Sequence, residues 1–182
     1  MTEVKEQKKE AWVNYLALTT VIFAVCATLS TFKGGGYSTR SVMSQSQASD
    51  QWAYFQAKGV KSYLYQLQAE KLEMELLGLP KSSAKVAAAY EEKIGSYKKM
   101  VEKYEKEKAE IQKEAKKLEG IRDESQVHSK AFGVAVIYLQ IAILLSSIAG
   151  LLKKKVVWYL GVATGLVGLV YFADGFLVFL PV

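Results

Sequence analysis

Three long apolar stretches dominate the chain, and a polar segment separates the first from the second. Residues 11–32 and 131–152 contain no Asp, Glu, Lys or Arg, and residues 156–182 contain a single acid, Asp174. Each stretch reaches the roughly 20 helical residues that cross a hydrocarbon core about 30 Å thick. Because backbone groups inside a bilayer must be hydrogen-bonded within the segment, the pattern predicts three transmembrane helices.

The polar segment predicts a helical hairpin at residues 51–130, in which Gly78 ends the first arm and Ser82 and Ser83 cap the second. Apolar side chains in both arms recur at alternating steps of four and three, the spacing of a coiled coil. The predicted seam of the second arm is Tyr90, Ile94, Tyr97, Val101, Tyr104, Ile111 and Leu118, with Lys108 and Ala115 also in core positions. That of the first arm is Ala53, Ala57, Val60, Leu64, Leu67, Lys71 and Met74.

These elements predict an all-α membrane protein with three transmembrane helices and a long antiparallel coiled-coil hairpin between the first and second. A short turn between long helices makes them antiparallel neighbours. The predicted layout is a charged tail at 1–10, a first span at 11–32, a Gly then Ser/Gln-rich linker at 33–50, the hairpin at 51–130 with its turn at 78–83, a second span at 131–152, a basic loop at 153–155 and a third span at 156–182.

Aromatic side chains on the hairpin exceed what a two-helix contact can cover. Trp52, Phe55 and Tyr63 supply large amphipathic rings, while the predicted seam is weakened by Lys71 and Lys108. We therefore expect these three aromatics to form contacts between copies, which makes a homo-oligomer the expected state.

Small residues recur every fourth position in two of the spans. Ala142, Ser146 and Gly150 lie in the second span, and Gly161 and Gly165 in the third. Such spacing allows helices to approach closely, so we expect these two spans to pack together. The alternative is that glycine is simply common in transmembrane helices.

Matching clusters of basic and aromatic residues open the first and third spans. The predicted interface anchors are Trp12, Tyr15, Lys153, Lys154, Lys155, Trp158 and Tyr159. Lysines favour the cytoplasmic side and Trp and Tyr the headgroup level, so the N-terminus and the basic loop are predicted to be cytoplasmic, with the hairpin on the opposite side. The mirror topology is the alternative, because Lys33, Arg40, Arg122 and Lys130 flank the other ends.

The first span resembles a signal peptide but is longer than the apolar core of an ordinary one, so an uncleaved anchor is expected.

Composition changes this picture little. The chain is 51% hydrophobic and 23% charged with net charge +6, but Lys and Glu alternate along residues 98–117 rather than forming a basic stripe. Anionic lipid headgroups are therefore a better partner than nucleic acid.

Because Cys26 and His128 are the only residues of their types, no disulfide, metal site or cofactor is expected. No catalytic constellation is apparent, and no enzyme is predicted.

Asp174 is the one acid inside a predicted span, which makes it a candidate for ion coupling. The alternative without a function is that the Asp174 carboxylate reaches lipid headgroups or water at the end of the third span.

Two strings carry a family resemblance: Trp12-Val13-Asn14-Tyr15-Leu16-Ala17-Leu18-Thr19-Thr20, and Gln45 to Lys58 with its central Gln-Ala-Ser-Asp-Gln-Trp-Ala-Tyr. Here the chain resembles an uncharacterised bacterial membrane family filed as domain of unknown function 4337. The resemblance implies a bacterial, inner-membrane protein and carries no catalytic residues over. The Gly34-Gly35-Gly36 run departs from the more polar junction expected in that family.

The leading hypothesis is a non-enzymatic membrane scaffold that self-assembles through its hairpin and its small-residue spans. A channel or ion-coupled accessory subunit using Asp174, and an adaptor of another envelope complex, are the alternatives.

Overall fold

A computed structural model describes residues 2–80 and 84–180, with side chains from residue 11 onward. This part of the chain folds into three α-helices, α1 (Thr2–Leu77), α2 (Ala84–Leu152) and α3 (Lys155–Leu177), and contains no strand. Each helix contains a stretch long and apolar enough to cross a membrane, with mean hydropathy of 1.8, 2.2 and 1.9 in chain order. The proposed caps Ser82 and Ser83, the side chains of the charged tail and the last two residues lie outside the described part.

The linker predicted at 33–50 is wrong, because α1 continues through it as helix. Glycine weakens a helix by roughly 1 kcal/mol relative to alanine, and tertiary contact routinely overrides that preference. Gly34 packs against Phe132 of α2, where an added Cβ would lie 3.0 Å from the Phe132 Cβ. The Thr39 hydroxyl donates a hydrogen bond to the Gly35 carbonyl oxygen at 3.0 Å, so this hydroxyl has a hydrogen-bond partner within the helix.

The chain divides into two compact units, each described by itself: an apolar unit of residues 1–42 and 122–182, and a polar unit of residues 43–121. In the apolar unit, α1, α2 and α3 pack around a core of Phe23, Ala27, Leu139 and Ala142. Phe132 of α2 is fully buried there, with its ring centroid 5.0 Å from that of Phe176 in α3.

The polar unit consists of the second half of α1 and the first half of α2. Contacts that advance along α1 move backwards along α2, so the two segments run in opposite directions. The contacting pairs are Trp52 with Glu119, Lys58 with Glu107, Ser62 with Glu105, and Glu73 with Lys98. The turn after Leu77 is closed by the Gly78 and Leu79 amides, which donate to Glu75 and Leu76 carbonyl oxygens.

Candidate assembly surface

The predicted second-arm seam lies on the side of α2 that contacts α1. Ile94, Ile111 and Ala115 are buried, and the other six core positions of this arm, Lys108 included, are half-buried. The rings of Tyr97 and Tyr104 lie 5.6 and 5.8 Å, centroid to centroid, from the Tyr65 ring of α1. A hydrogen bond to Glu75 raises the pKa of the Tyr90 hydroxyl. Tyrosine rings and two isoleucines therefore form the α2 side of the contact between the two helices.

The face of α1 that meets α2 differs from the predicted one. Its buried residues are all small: Ser44, Ala48, Gly59, Ser62 and Ala69. The distance between two packed helices depends on the side chains at their contact, so small residues on α1 make room for the tyrosines of α2. A search for large apolar residues misses such a face, because its signal is the heptad spacing of small side chains.

Lys58 and Glu107 form an ion pair inside this contact. The Lys58 Nζ lies 2.6 Å from Glu107 Oε2 and 5.1 and 5.2 Å from the ring centroids of Tyr54 and Tyr104. The hydrogen bond to Glu107, followed by that to Tyr54, raises the pKa of Lys58, and the bond from Lys58 lowers the pKa of Glu107. Both groups are therefore charged at neutral pH, and the pair is intact there.

Glu105, two residues before Glu107 in α2, forms a second polar contact. It accepts hydrogen bonds from the Ser62 hydroxyl at 2.8 Å and from Lys108 Nζ at 3.0 Å. These bonds, led by the one from Lys108, lower the pKa of Glu105. Lys108 also lies 5.2 Å from the centroid of the Phe55 ring. A lysine at a core position is thus neutralised within the unit rather than left unpaired.

The predicted first-arm seam faces away from α2, so that prediction is wrong. All seven residues are exposed, and the large ones, Val60, Leu64, Leu67 and Met74, are 55 to 71% exposed. Positions two residues apart on a helix differ by about 200° around its axis, which places this series opposite Ser62. We call Ala53, Ala57, Val60, Leu64, Leu67, Lys71 and Met74 the outer stripe. It keeps coiled-coil spacing with nothing in the described chain covering it.

The structure divides the predicted aromatic contact surface. The indole N–H of Trp52 donates to Glu119 Oε1 at 2.9 Å, and its ring meets Phe55 edge-on with centroids 5.5 Å apart. Trp52 and Phe55 therefore engage α2 within the unit. Tyr63 is 70% exposed and borders the outer stripe.

In the apolar unit, three of the five predicted packing residues meet at one place. A Cβ added to Gly161 would lie 3.2 Å from the Ala142 carbonyl oxygen and from Ser146 Oγ. Gly165 instead faces the ring of Phe23 in α1, and Gly150 lies nearest Leu16, also in α1. The glycines of α3 therefore contact α2 and α1, not α2 alone.

The predicted anchors of the first and third spans are brought together. The Trp12 and Trp158 ring centroids are 6.4 Å apart, and Trp158 Nε1 donates to the Thr19 hydroxyl at 3.2 Å. The Tyr159 ring lies tilted beside that of Trp158 with centroids 5.1 Å apart, and Lys155 Nζ lies 6.0 Å from the centroid of the Trp12 ring. Tyr15 is exposed, as are Lys153 and Lys154.

Asp174 is fully buried and closes the end of α3. Its Oδ1 accepts hydrogen bonds from the backbone N–H groups of Phe179 and Leu180, each at 2.7 Å. Among the described residues, its Oδ2 has no hydrogen-bond partner. One turn of chain beyond the helix is therefore organised by this carboxylate.

His128 holds the same end of α3 against α2, a contact that sequence reasoning missed. Its Nδ1 lies 2.8 Å from the Gly175 carbonyl oxygen, and because a carbonyl only accepts, Nδ1 carries the hydrogen. The Tyr37 ring stacks on His128 with centroids 4.5 Å apart. Sequence carried no signal for it, since a lone histidine near an apolar stretch has no partner until the helices are packed.

The family model described as "Domain of unknown function (DUF4337)" matches residues 12–178. The chain belongs to this family. The match confirms the resemblance carried by residues 12–20 and 45–58, and it spans all three helices. No curated protein matches the chain, and no solved structure does. The DUF4337 description assigns no activity, so function has to be argued from the surfaces described above.

Proposed function

We propose that this DUF4337 protein is a non-enzymatic integral membrane scaffold that self-assembles through the outer stripe of α1. In this proposal residues 11–32, 131–152 and 156–182 cross the bilayer, and the polar unit forms an antiparallel coiled-coil hairpin outside it. The N-terminus and the basic loop lie in the cytoplasm and the hairpin on the opposite side of a bacterial inner membrane, as the anchors and the family resemblance suggest.

The exposed heptad spacing of the outer stripe carries the proposal. A heptad series of apolar residues is the requirement for helix-to-helix packing, and within its own chain α1 meets α2 through a different face. Exposed apolar surface of this length on an otherwise polar helix marks an interaction site. Since Lys and Glu crowd α2 between residues 98 and 117, α2 offers no matching apolar stripe.

A second copy of α1 is the occupant that fits best. Copies inserted the same way in one membrane have parallel α1 helices, so each residue of the stripe meets its own counterpart. Val60, Leu64 and Leu67 then form successive apolar layers. Lys71 would sit in one layer, and a single polar core position of this kind restricts register and oligomeric state at some cost in stability.

The test is the mass of the detergent-solubilised full chain by light scattering, corrected for bound detergent, for wild type and Leu64→Glu/Leu67→Glu. Burial of each leucine contributes about 1.5–3 kcal/mol, so the double variant should raise the subunit dissociation constant by about a hundredfold or more. Val86→Glu, an exposed apolar position in the first turn of α2, is the matched control and should retain the wild-type mass.

A strictly monomeric wild type would contradict self-assembly and favour the adaptor function, with the stripe binding another envelope protein. Circular dichroism at 222 nm on every variant separates loss of assembly from loss of helix.

The ion-coupled alternative is supported by one observation, the buried Asp174 Oδ2 that lacks a hydrogen-bond partner in the described part of the chain. A buried carboxylate oxygen of this kind is costly unless a proton or cation neutralises it. Asp174→Asn should then abolish a proton or cation flux measured in proteoliposomes, whereas a scaffold would show no flux in either protein.

A further inference from the structure

A shallow groove opens on the surface of α1 within the apolar unit, just beyond the first apolar stretch. Its volume is about 670 Å³, and Phe32, Lys33, Gly36, Tyr37 and Arg40 are among the residues that line it. Phe32, the last residue of the stretch, is 77% exposed. The groove therefore joins an apolar surface on one side to a basic surface on the other.

Two of the three consecutive glycines have no packing explanation. An added Cβ at Gly34 would press on Phe132, but nothing lies within 4 Å of the corresponding position at Gly35 or Gly36. Each exposed glycine destabilises a helix relative to alanine. Glycine often occurs where a ligand must approach the helix backbone closely. At Gly36 the missing side chain leaves the backbone exposed at the floor of the groove.

Lys33 and Arg40 flank this floor on one face of α1. They are seven residues apart, hence two turns and about 10.5 Å along the helix axis, with Gly36 between them. Neither forms an ion pair with a described residue. The chain contains no Asp or Glu from residue 11 to residue 49. An uncompensated pair of cations on long side chains is thus available to one anion lying over Gly36.

We propose that this groove binds the phosphate group of an anionic phospholipid, with Lys33 and Arg40 contacting the headgroup and the acyl chains running past Phe32. The inference rests on the membrane insertion proposed above, because only then does residue 33 lie at headgroup depth. Arginine and lysine at that depth attract anionic lipid, and an arginine fork suits phosphate oxygens. Tyr37 borders the site at the level where tyrosine is favoured.

The experiment measures phosphatidylglycerol binding to the detergent-purified full chain by native mass spectrometry, with phosphatidylcholine as the neutral comparison. Loss of two interfacial cations should weaken phosphatidylglycerol binding by roughly thirtyfold in Lys33→Gln/Arg40→Gln. Gly36→Leu fills the groove without changing charge and should weaken it by about tenfold or more. Two control variants are used. Lys99→Gln/Lys113→Gln removes the same number of charges from the polar unit, and Gly133→Leu replaces an exposed glycine of α2. Both controls should bind phosphatidylglycerol as wild type does.

Equal retention of the two lipids by wild type, or unchanged phosphatidylglycerol binding in both site variants, would overturn the proposal. Displacement of the lipid by soluble glycerol phosphate at equal concentration would identify a site for free phosphate compounds instead. The oligomeric mass of the same samples is read in the same spectra. Failure of lipid binding in a correctly assembled protein is therefore distinguishable from failure of the scaffold proposal.

Discussion

Asp174 shows how one side chain determines the path of the backbone after a helix. Val178, which follows α3, has φ of 49°, a left-handed conformation that is strained for a β-branched residue. The next two amides, of Phe179 and Leu180, both donate to Asp174 Oδ1. These two hydrogen bonds offset the backbone strain, since each hydrogen bond contributes about 0.5–1.5 kcal/mol.

Asp174→Ala should destabilise the apolar unit by about 2–4 kcal/mol, because two amides at the end of α3 lose their acceptor. Asp174→Asn retains a carbonyl oxygen at that place and should cost less. Tryptophan fluorescence during unfolding of the full chain in mixed micelles measures both. An alanine variant as stable as wild type would show that the carboxylate does not hold the end of α3.

At the scale of elements, α3 is a helix whose glycines determine its packing. Gly161, Gly165 and Gly168 are buried and follow one another at steps of four and three, so they lie on one face. A Cβ at Gly168 would lie 2.8 Å from Leu139 Cγ and 3.0 Å from the Leu139 backbone nitrogen. Because Leu139 is itself fully buried in α2, a methyl group at Gly168 has no space unless the two helices move apart.

Gly168→Ala should therefore destabilise the apolar unit by about 1–3 kcal/mol, the usual cost of overpacking. Gly133→Ala is the control on α2, since nothing lies within 4 Å of the added methyl and the change improves helix propensity. Both are compared with wild type in the same unfolding assay. Equal stability of the two variants would contradict the close contact between α2 and α3.

At the scale of the molecule, the apolar unit brings together ends of the three helices that are long and apolar enough to cross a membrane. Trp12 at the start of the first span and Trp158 at the start of the third lie together. Gly150, at the end of the second span, lies against Leu16 of the first. The start of the first apolar stretch and the loop at 153–155 therefore share one end of this unit, which agrees with the two predicted spans that lie between them.

Membrane topology is tested by cysteine labelling in a Cys26→Ser background. With the predicted sidedness, Ser46→Cys reacts with a membrane-impermeant maleimide on intact cells, whereas Lys154→Cys reacts only after the membrane is opened. The reversed pattern would establish the mirror topology. Labelling of both from outside would be incompatible with an odd number of spans between the two positions.

Length and hydropathy alone identified three long apolar helices, because apolar runs are properties of the linear sequence, and the strings at residues 12–20 and 45–58 identified the family. Sequence could not choose which face of α1 meets α2. The outer stripe carries the larger apolar residues, yet Ala48, Gly59, Ser62 and Ala69 form the contact. Bulky rings on α2 need small residues opposite them, and that complementarity exists only once both helices are present.

The same reason explains the two other differences. Gly34-Gly35-Gly36 indicates a linker when only local propensity is considered, whereas Phe132, distant in sequence, makes Gly34 a packing position in a continuous helix. His128 has no visible partner in the linear chain, and its hydrogen bond to Gly175 appears only where α2 and α3 meet. Asp174 instead accepts hydrogen bonds from amides five and six residues ahead, which reach it because the backbone turns at Val178. Sequence thus determined which segments are apolar helices, and tertiary structure decided which faces they bury, because burial depends on the shape of a surface supplied by another helix.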